Sequence, residues 1–343
     1  MTQLYALGLG IGTQNSKGEW LEVFYAQPAL KPSEASARAI GNILGYSGGN
    51  QAIAINHEQA DAIATALEEA GETSLAALAT HLTSSTRPLV ATLLETDTNP
   101  TSVPEAYLKL HLLSHRLVKP HGTVLAGIFG VLPNVAWTSQ GAIDINELPE
   151  RQLQARLSGE ELEVSCVDKF PKMTNYVVPS GVRIAHTARV RLGAYIGEGT
   201  TIMHEGFVNF NAGTEGPAMI EGRISAGVFV GAGSDLGGGS STMGTLSGGG
   251  NIVISVGKES LIGANAGIGI PLGDRCKVES GLYITAGTKV VILDDQGQEV
   301  KTVKARELAG VADLVFRRNS LNGRVEAVSN KSALQLNAAL HAN

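Results

Sequence analysis

A carboxylate and a guanidinium lie two positions apart in the segment Glu221-Gly222-Arg223. A carboxylate can accept a proton from an amine, which must be neutral before it can act as a nucleophile. A guanidinium can hold a substrate carboxylate through paired hydrogen bonds. The two side chains together therefore suit the activation and binding of an amine that carries acid groups. The alternative is that Glu221 is a solvated loop carboxylate and Arg223 an ordinary surface arginine.

A glycine-rich stretch follows shortly after this segment. Residues 237–250 read Gly-Gly-Gly-Ser-Ser-Thr-Met-Gly-Thr-Leu-Ser-Gly-Gly-Gly, with almost no bulky side chains. Such a stretch can bring backbone N–H groups close to a ligand, where they attract negative charge. The alternative is a flexible loop with no role in binding.

Aliphatic residues recur at every sixth position around both segments. They are Val178, Ile184, Val190, Ile196, Ile202 and Val208, then Ile224, Val230 and Leu236, then Val256, Ile262 and Ile268, and finally Val278, Ile284 and Val290. A period of six fits neither a helix, with a period of 3.6, nor an alternating strand, with a period of 2. It is typical of a parallel β-helix, in which three hexads form one triangular coil. A glycine-rich β-sandwich is the alternative, and this register does not favour it.

The register of the repeat is lost in three places, at residues 209–223, 237–255 and 269–277. We expect these residues to leave the solenoid as loops. Loops held on a rigid scaffold often carry binding groups. On this reading Glu221 lies in the first loop and the glycine-rich stretch forms the second.

The chain divides into four predicted regions. Residues 1–120 are expected to form an α/β domain, with a helix that begins near Pro104 and is capped by Ser102. Residues 121–177 form a connecting region, residues 178–290 the β-helix, and residues 291–343 a C-terminal extension that ends in a short helix. His111, His115 and His121 are interpreted as packing or surface residues, because nothing near them in the sequence completes a metal site.

Composition narrows the function further. The chain has 343 residues, a formal net charge of −6 and a sequence pI near 5.8, which argues against nucleic acid as a main partner. The N-terminus lacks a basic signal-peptide region, and no apolar run approaches the ~20 residues that span a bilayer. Two cysteines indicate neither a disulfide framework nor a cysteine zinc site. We therefore expect a soluble cytoplasmic protein with no membrane partner.

Longer motifs resemble a known family. The hexads are similar to those of the left-handed β-helix acyltransferases, and the longer motifs resemble the tetrahydrodipicolinate N-succinyltransferases in their longer bacterial form. The segments that carry this resemblance are YLKLHLLSHRLVKPH, VDKFPKM, MHEGFVNFNAGTEG, EGRISAGVFVG, GSDLGGGSSTMGTLSGGG, IGANAGIGIPLGD, GLYITAGTKV, VKAREL and FRRNS. The resemblance implies a mainly β protein with a left-handed parallel β-helix, an N-terminal α/β domain and a short C-terminal extension.

The resemblance also implies a reaction. The family moves succinyl from succinyl-CoA to the amine of a cyclic dicarboxylate within lysine and diaminopimelate synthesis. Glu221 matches the catalytic glutamate, for which both a general-base role and an acyl-anhydride role have been proposed. We favour the base, because direct transfer from a thioester to an amine needs no covalent step. No tightly bound cofactor is expected besides the co-substrate.

The same resemblance assigns binding residues. Those matching acyl-CoA contacts are Gly238, Ser241, Ala264, Glu279, Ser280 and Gly287. Those matching contacts to the nucleotide and phosphate end of CoA are Lys304, Arg317, Arg318, Asn319 and Ser320, with Lys289 a less certain member. The alternative for the basic residues is a solvated surface.

A metal and an oligomer are implied as well. In similar proteins the glutamate corresponding to Glu205 lies near a threefold axis, where three copies could bind Mg²⁺, which prefers oxygen ligands. An equally good interpretation is that Glu205 is a polar residue at a corner of the solenoid. Ala188 stands where some relatives have an acidic residue, which argues against a second metal site. We expect a homotrimer with each active site between subunits.

Three other functions compete with this one. Another hexapeptide acyltransferase could use acetyl-CoA or a different amine. A γ-type carbonic anhydrase needs three zinc-binding histidines, whereas the solenoid contains only His186 and His204. A non-catalytic β-solenoid scaffold would have regular faces without long loops.

Overall fold

The structure is a computed structural model that describes residues 3–244 and 252–329. Its described residues form two compact units. The first comprises the residues up to Val118 together with Gly122–Pro171 and Asn175–Val177. The second comprises Lys119–His121, Lys172–Thr174 and the residues from Val178 onward. The helix expected at the C-terminus lies outside the described residues.

The first unit contains an antiparallel sheet with the strand order β2-β1-β5-β4, and β3 pairs with β1. Its strands are β1 (Ala6–Gln14), β2 (Trp20–Phe24), β3 (Ala29–Leu30), β4 (Gln51–Ile55) and β5 (Leu89–Leu94). The helices that accompany it are α1 (Glu34–Leu44), α2 (His57–Glu69), α3 (Thr73–Leu82) and α4 (Val103–Ser114). Aliphatic residues of the sheet and of α1, α2 and α3 form one buried core.

Helix α4 confirms the predicted helix. Pro104 lies in the first turn, where a missing N–H is not needed for a helical bond. Ser102 occupies the N-cap position, but its side chain does not cap the helix, because its hydroxyl donates to Glu105 Oε1 at 3.1 Å. The Glu105 side chain accepts hydrogen bonds from the backbone N–H and the hydroxyl of Thr101. The residues from Pro104 to Ser114 are all buried, and His111 is one of them.

Residues 122–171 belong to the same unit, although the sequence analysis assigned residues 121–177 to a connecting region. They contain a three-stranded sheet of order β7-β6-β8 and its own small core. The elements are α5 (Ile128–Val131), β6 (Val135–Thr138), β7 (Gly141–Asp144), α6 (Leu148–Leu157) and β8 (Val164–Asp168).

The second unit is a solenoid of short parallel strands stacked on three faces. The first face contains β9 (Arg183–Ile184), β11 (Thr200–Ile202), β14 (Ala218–Ile220), β17 (Ser234–Leu236), β20 (Leu261–Ile262) and β22 (Lys277–Val278). The second contains β12 (Phe207–Val208), β15 (Arg223–Ile224), β18 (Ser241–Thr242), β21 (Gly267–Ile268) and β23 (Tyr283–Ile284), and the third β10 (Ala194–Ile196), β13 (Ala212–Thr214), β16 (Phe229–Val230) and β19 (Ser255–Val256).

The hexad residues stack on one another along each face. On the first face Ile202 pairs with Ile220, Ile220 with Leu236, and Leu236 with Ile262, and all four are buried. Each coil can bury its aliphatic side chains only against the next coil, so the stack forms one continuous core. The predicted parallel β-helix is therefore confirmed.

Two of the three predicted loops are wrong. Residues 209–223 form β13, β14 and the start of β15, and the register continues through the inward-facing Thr214. The next step, from Ile220 to Ile224, is four positions instead of six. Residues 269–277 likewise continue the coil, through a four-position step from Ile268 to Leu272.

Two inward positions of the repeat are occupied by threonine and not by an aliphatic residue. A buried threonine fills nearly the same space as valine and is stable there when its hydroxyl has a hydrogen-bond partner. Thr214 Oγ1 accepts a hydrogen bond from the Gly197 N–H at 3.1 Å and lies 2.8 Å from Thr200 Oγ1. Thr242 also faces inward, and its hydroxyl donates to the Arg223 carbonyl at 3.0 Å. A search for aliphatic residues alone therefore loses the register at both positions.

The remaining predicted loop, residues 237–255, is wrong in its first part, because residues 237–242 belong to the coil and include β18. Residues 245–251 lie outside the described residues.

The C-terminal extension continues the first face. Strand β26 (Leu314–Arg318) pairs with β22 in parallel and with β27 (Val325–Ser329) antiparallel. Strands β24 (Lys289–Leu293) and β25 (Glu299–Lys304) form an antiparallel hairpin.

Candidate active site

Glu221 lies at a tight corner of the solenoid and not in a long loop. Its N–H donates to the Leu236 carbonyl at 2.8 Å, and the Arg223 N–H donates to the Ser240 carbonyl at 2.8 Å. The Gly222 carbonyl accepts from the Phe207 N–H at 3.1 Å. The corner is thus bonded to the coils on both sides, and this fixes where the two charged side chains leave the backbone.

An open cleft of about 640 Å³ lies beside this corner. Its lining residues are Arg189, Glu205, Phe207, Glu221, Gly222, Arg223, Gly239, Ser240 and Ser241. The structure therefore brings together four residues singled out from the sequence, namely Glu205, Glu221, Arg223 and Ser241. Sequence reasoning missed Arg189 and Ser240, which have no spacing pattern that marks them.

Arg223 is held by a neighbouring coil. Its Nη2 donates a hydrogen bond to Ser241 Oγ at 2.7 Å, and Ser241 is buried. Arg223 itself is exposed. The remaining N–H groups of the guanidinium can therefore face a ligand in the cleft while one bond to Ser241 orients it.

The Glu221 carboxylate faces small residues on the next coil. A Cβ added to Gly238 would lie 3.4 Å from Glu221 Oε2, so any side chain at position 238 would approach the carboxylate. Among the described residues, none donates a hydrogen bond to this carboxylate, and the N–H groups of Gly238 and Gly239 have no acceptor. Of these residues, Glu221 and Gly239 line the cleft.

Six of the residues predicted to contact acyl-CoA lie along one corner of the solenoid. Each of the six is the first or second residue after an inward residue of the first face. We call this arrangement the corner column, and it consists of Glu221-Gly222, Gly237-Gly238, Gly263-Ala264, Glu279-Ser280 and Arg317-Arg318. Backbone hydrogen bonds connect the successive coils along the column. The N–H of the first residue in each pair, from Glu221 to Glu279, donates to a carbonyl of the next coil at 2.8–2.9 Å. At roughly 4.8 Å per coil, Glu221 and Arg317 are separated by about 19 Å along the column.

The other predicted contacts lie off the corner column, namely Ser241 on β18, Asn319 and Ser320 after the last pair of the column, and Gly287, Lys289 and Lys304 around the β24–β25 hairpin. Gly287 and Lys304 flank the base of the β24–β25 hairpin, where the Ala305 N–H donates to the Thr288 carbonyl at 2.8 Å. Lys289 and Lys304 are directly opposite each other in this hairpin, and both are exposed. Like charges opposite each other repel, so an anion between them would stabilise the pair.

The basic run at the end of the column is organised by a buried carboxylate that sequence reasoning missed. Glu326 is buried, with Asn319 Nδ2 at 2.7 Å and Arg317 Nε at 3.1 Å. The hydrogen bond from Asn319 and the Arg317 guanidinium hold the pKa of Glu326 below its usual value. Asn319 Oδ1 also accepts from the Leu321 N–H. The side chain of Asn319 therefore stabilises the turn, whereas Arg317, Arg318 and Ser320 remain exposed.

Glu205 occupies a neighbouring corner and is exposed. Arg189 Nη2 donates to its backbone carbonyl at 2.8 Å, so the interaction does not involve the Glu205 carboxylate. Among the residues that the structure describes, no three His, Cys, Asp or Glu side chains lie close enough to bind one metal ion. The described residues therefore supply no complete set of metal ligands around Glu205. No described helix is long and apolar enough to cross a membrane.

The stacked hexad coils and the cleft at their corner define a hexapeptide-repeat transferase. Two family models agree with this class, one described as the hexapeptide repeat of succinyl-transferase over residues 253–286 and one as the middle region of tetrahydrodipicolinate N-succinyltransferase over residues 132–172. The chain is 71% identical over 340 residues to the 2,3,4,5-tetrahydropyridine-2,6-dicarboxylate N-succinyltransferase of Pseudomonas putida, covering 99% of this chain and 98% of that protein. It is 60% identical over 339 residues to the Vibrio cholerae protein of the same name, covering 99% of each.

This chain belongs to the tetrahydrodipicolinate N-succinyltransferase family, as the resemblance predicted. A crystal structure from Campylobacter jejuni, titled as a putative 2,3,4,5-tetrahydropyridine-2-carboxylate N-succinyltransferase, matches with a TM-score of 0.88 at 32% identity. The match covers 97% of this chain and 94% of that one. The similarity therefore extends through both units.

Proposed function

We propose that this enzyme transfers the succinyl group of succinyl-CoA to the amine of tetrahydrodipicolinate, within diaminopimelate and lysine synthesis. The observation that carries the proposal is the position of the Glu221 carboxylate, which lies in the cleft beside Arg223 at one end of the corner column. Family membership at 71% identity supports the same reaction.

Glu221 acts as the general base. Water first adds to the C=N bond of the tetrahydropyridine ring, which gives a ring amine. Glu221 takes a proton from this amine, whose nitrogen then attacks the thioester carbonyl carbon. The C–S bond breaks, the amide forms, and the leaving CoA thiolate takes up the proton. The C–N bond at the hydrated ring carbon then breaks, which leaves an open-chain ketone. Because Glu221 need not itself be acylated, the base role requires one step fewer than an acyl-anhydride role.

Other groups of the cleft bind or stabilise the negative charges of the substrates. Arg223 binds a carboxylate of the dicarboxylate substrate, oriented by its bond to Ser241. The N–H groups of Gly238 and Gly239, on the coil that faces Glu221, stabilise the negative charge that develops on the thioester oxygen. These donors are fixed by the coil backbone, so little reorganisation is needed during the reaction.

The acyl-CoA lies along the corner column. Its pantetheine arm passes Ala264, Glu279 and Ser280, and its amides can pair with the backbone N–H groups of Ala264 and Ser280 as an added strand would, because among the described residues these two have no acceptor. The phosphates lie near Arg317 and Arg318, with Lys304, Lys289 and Gly287 on the adjacent hairpin. The spacing of about 19 Å along the column separates the reacting carbonyl from the charged end.

The quaternary arrangement and the hand of the helix belong to the same proposal. We infer a left-handed helix and a homotrimer in the cytoplasm, with active sites between subunits and the N-terminal unit as a separate domain. A carboxylate from each of three Glu205 residues could bind Mg²⁺ on the threefold axis. No step of the reaction depends on that ion.

The test is the release of CoA from succinyl-CoA and from acetyl-CoA, each with tetrahydrodipicolinate as the acceptor. The proposal expects rapid turnover only with succinyl-CoA. Preference for acetyl-CoA would favour another hexapeptide acyltransferase, and failure to bind either thioester would favour a scaffold. No observation on this chain supports those alternatives.

A further inference from the structure

Ser240 has a buried hydroxyl without a partner. The residue is 2% exposed, and among the described residues its Oγ has no hydrogen-bond partner. Native proteins pair nearly all buried polar side chains, so an exception calls for an explanation. Two other buried side-chain atoms without a partner, Tyr107 Oη and His115 Nε2, belong to the first unit. Ser240 is the one that lines the cleft.

Other buried hydroxyl groups of the solenoid show that this fold can satisfy such groups. Ser234 Oγ donates to the Gly257 carbonyl at 2.7 Å and accepts from the Ser260 N–H at 3.0 Å. Thr214 and Thr242 are similarly bonded. The unpaired state of Ser240 is therefore a local feature and not a general cost of the coils.

The surroundings of Ser240 connect it to Glu221. A Cβ at Gly222 would clash with Ser240 Oγ, so the hydroxyl lies against the residue that directly follows Glu221. The backbone of Ser240 is fixed, since its N–H donates to Gly237 and its carbonyl accepts from Arg223. The Glu221 carboxylate reaches the level of Gly238 on the same coil. The hydroxyl and the carboxylate therefore border the cleft from adjacent coils.

We propose that Ser240 is a positioning residue for the reaction, whose hydroxyl donates a hydrogen bond to the Glu221 carboxylate once substrates fill the cleft. A χ1 rotation of Ser240 turns the hydroxyl from Gly222 toward the carboxylate. The bond fixes the direction in which the base faces the amine. Among the described residues of the free enzyme the hydroxyl has no partner, and this lowers stability in favour of activity. This inference depends on the base role proposed for Glu221.

The decisive experiment compares Ser240→Ala with the matched control Ser234→Ala. Removing an unpaired hydroxyl should leave Tm unchanged or raise it, whereas removing the bonded Ser234 hydroxyl should lower it. In Ser240→Ala we expect kcat to fall about 10- to 100-fold, with little change in KM for succinyl-CoA. Ser234→Ala should keep its kcat per folded enzyme.

A pH profile separates positioning from a structural role. Arg189, Glu205 and Arg223 are the other charged groups that line the cleft, and both variants retain them. A donated hydrogen bond favours the charged carboxylate, so its loss should move the acidic limb of kcat to higher pH in Ser240→Ala alone. The acidic limb of the kcat/KM profile reports the free enzyme, so it should lie at the same pH in Ser240→Ala as in the wild type.

The possible results distinguish the role of Ser240 from the base role of Glu221. Wild-type kinetics in Ser240→Ala, together with an inactive Glu221→Gln, would overturn the role of Ser240 and leave the base in place. A fall in Tm for Ser240→Ala with an unshifted kcat profile would also overturn it, because the hydroxyl would then be structural. Near-normal turnover in Glu221→Gln would instead refute the base role itself.

Discussion

Arg223 Nη2 and Ser241 Oγ are joined by a hydrogen bond of 2.7 Å between adjacent coils of the solenoid. The two residues are direct partners in the pairing of β15 with β18, so the bond follows from the stacking register. A ligand-binding guanidinium is thereby oriented by the repeat itself. The serine supplies this support from within the glycine-rich segment.

Arg223→Ala should weaken binding of the dicarboxylate substrate. Hydrogen bonds to charged groups contribute about 1.5–3 kcal/mol, so kcat/KM for tetrahydrodipicolinate should fall about 10- to 150-fold. KM for succinyl-CoA should change little. Steady-state kinetics with each substrate varied in turn would measure both effects.

The matched control is Arg183→Ala, which removes an exposed arginine from the first face of the same solenoid. It should retain wild-type kinetics. An equal loss for both substrates in Arg223→Ala would argue against a specific carboxylate contact.

Glu221→Gln should lower kcat by several orders of magnitude, because an amide cannot accept the proton that the amine must lose. The backbone bonds that hold the corner do not involve this side chain. The oligomeric state and the affinity for CoA should therefore remain nearly intact. Turnover assays, sizing chromatography and CoA titration would check the three expectations.

Glu198→Gln provides the control, because Glu198 is an exposed corner glutamate outside the cleft lining. It should keep full activity. A covalent succinyl adduct on wild-type Glu221, trapped with succinyl-CoA alone, would favour the acyl-anhydride role over the base.

The period of six was sufficient to predict the parallel β-helix, because inward aliphatic residues dominate the repeat. It was not sufficient to trace every coil. Thr214 and Thr242 face inward with satisfied hydroxyl groups, and the four-position steps after Ile220 and Ile268 shift the register without a loop. The hydroxyl bonds of the two threonines are tertiary contacts, which a hydropathy pattern does not report.

The candidate site was predictable to a similar extent. Glu221, Arg223 and Ser241 were found through their motifs, and the structure brings them to one cleft. Ser240 and Glu326 were not found, because their roles depend on which residues the coils place beside them. The ligand contact assigned to Asn319 stays a prediction, and the structure adds that the side chain of this residue is bonded to Glu326.

Thr214→Val tests whether the hydroxyl bonds of this inward threonine stabilise the folded solenoid. The substitution keeps the shape of the side chain but leaves Thr200 Oγ1 and the Gly197 N–H with fewer partners. We expect a loss of about 1–3 kcal/mol in the free energy of unfolding, with the fold retained. Denaturant unfolding would measure it, with the partly exposed Thr201→Val as a control that should change little. A neutral or stabilising Thr214→Val would show that the hydroxyl bonds contribute nothing net.

His111 should make the first unit sensitive to acid. It is fully buried, its Nε2 accepts from the Tyr25 N–H at 3.2 Å, and Nδ1 donates to the Tyr107 carbonyl at 2.7 Å. Burial lowers the pKa of His111 to about 3, whereas an unfolded histidine titrates near pH 6.5. The unfolded chain therefore binds a proton that the folded chain does not, and stability falls as the pH drops from about 6.5 toward 3.

His111→Gln removes the titrating group while it keeps hydrogen-bonding capacity. The variant should be less stable than the wild type at pH 8, because the packing and both bonds are disturbed. Its Tm should nevertheless decline less steeply than that of the wild type between about pH 6.5 and 4. Thermal melts at several pH values would test this, with the exposed His57→Gln as a control that retains the wild-type slope. Parallel pH curves for wild type and His111→Gln would show that this histidine does not carry the acid sensitivity.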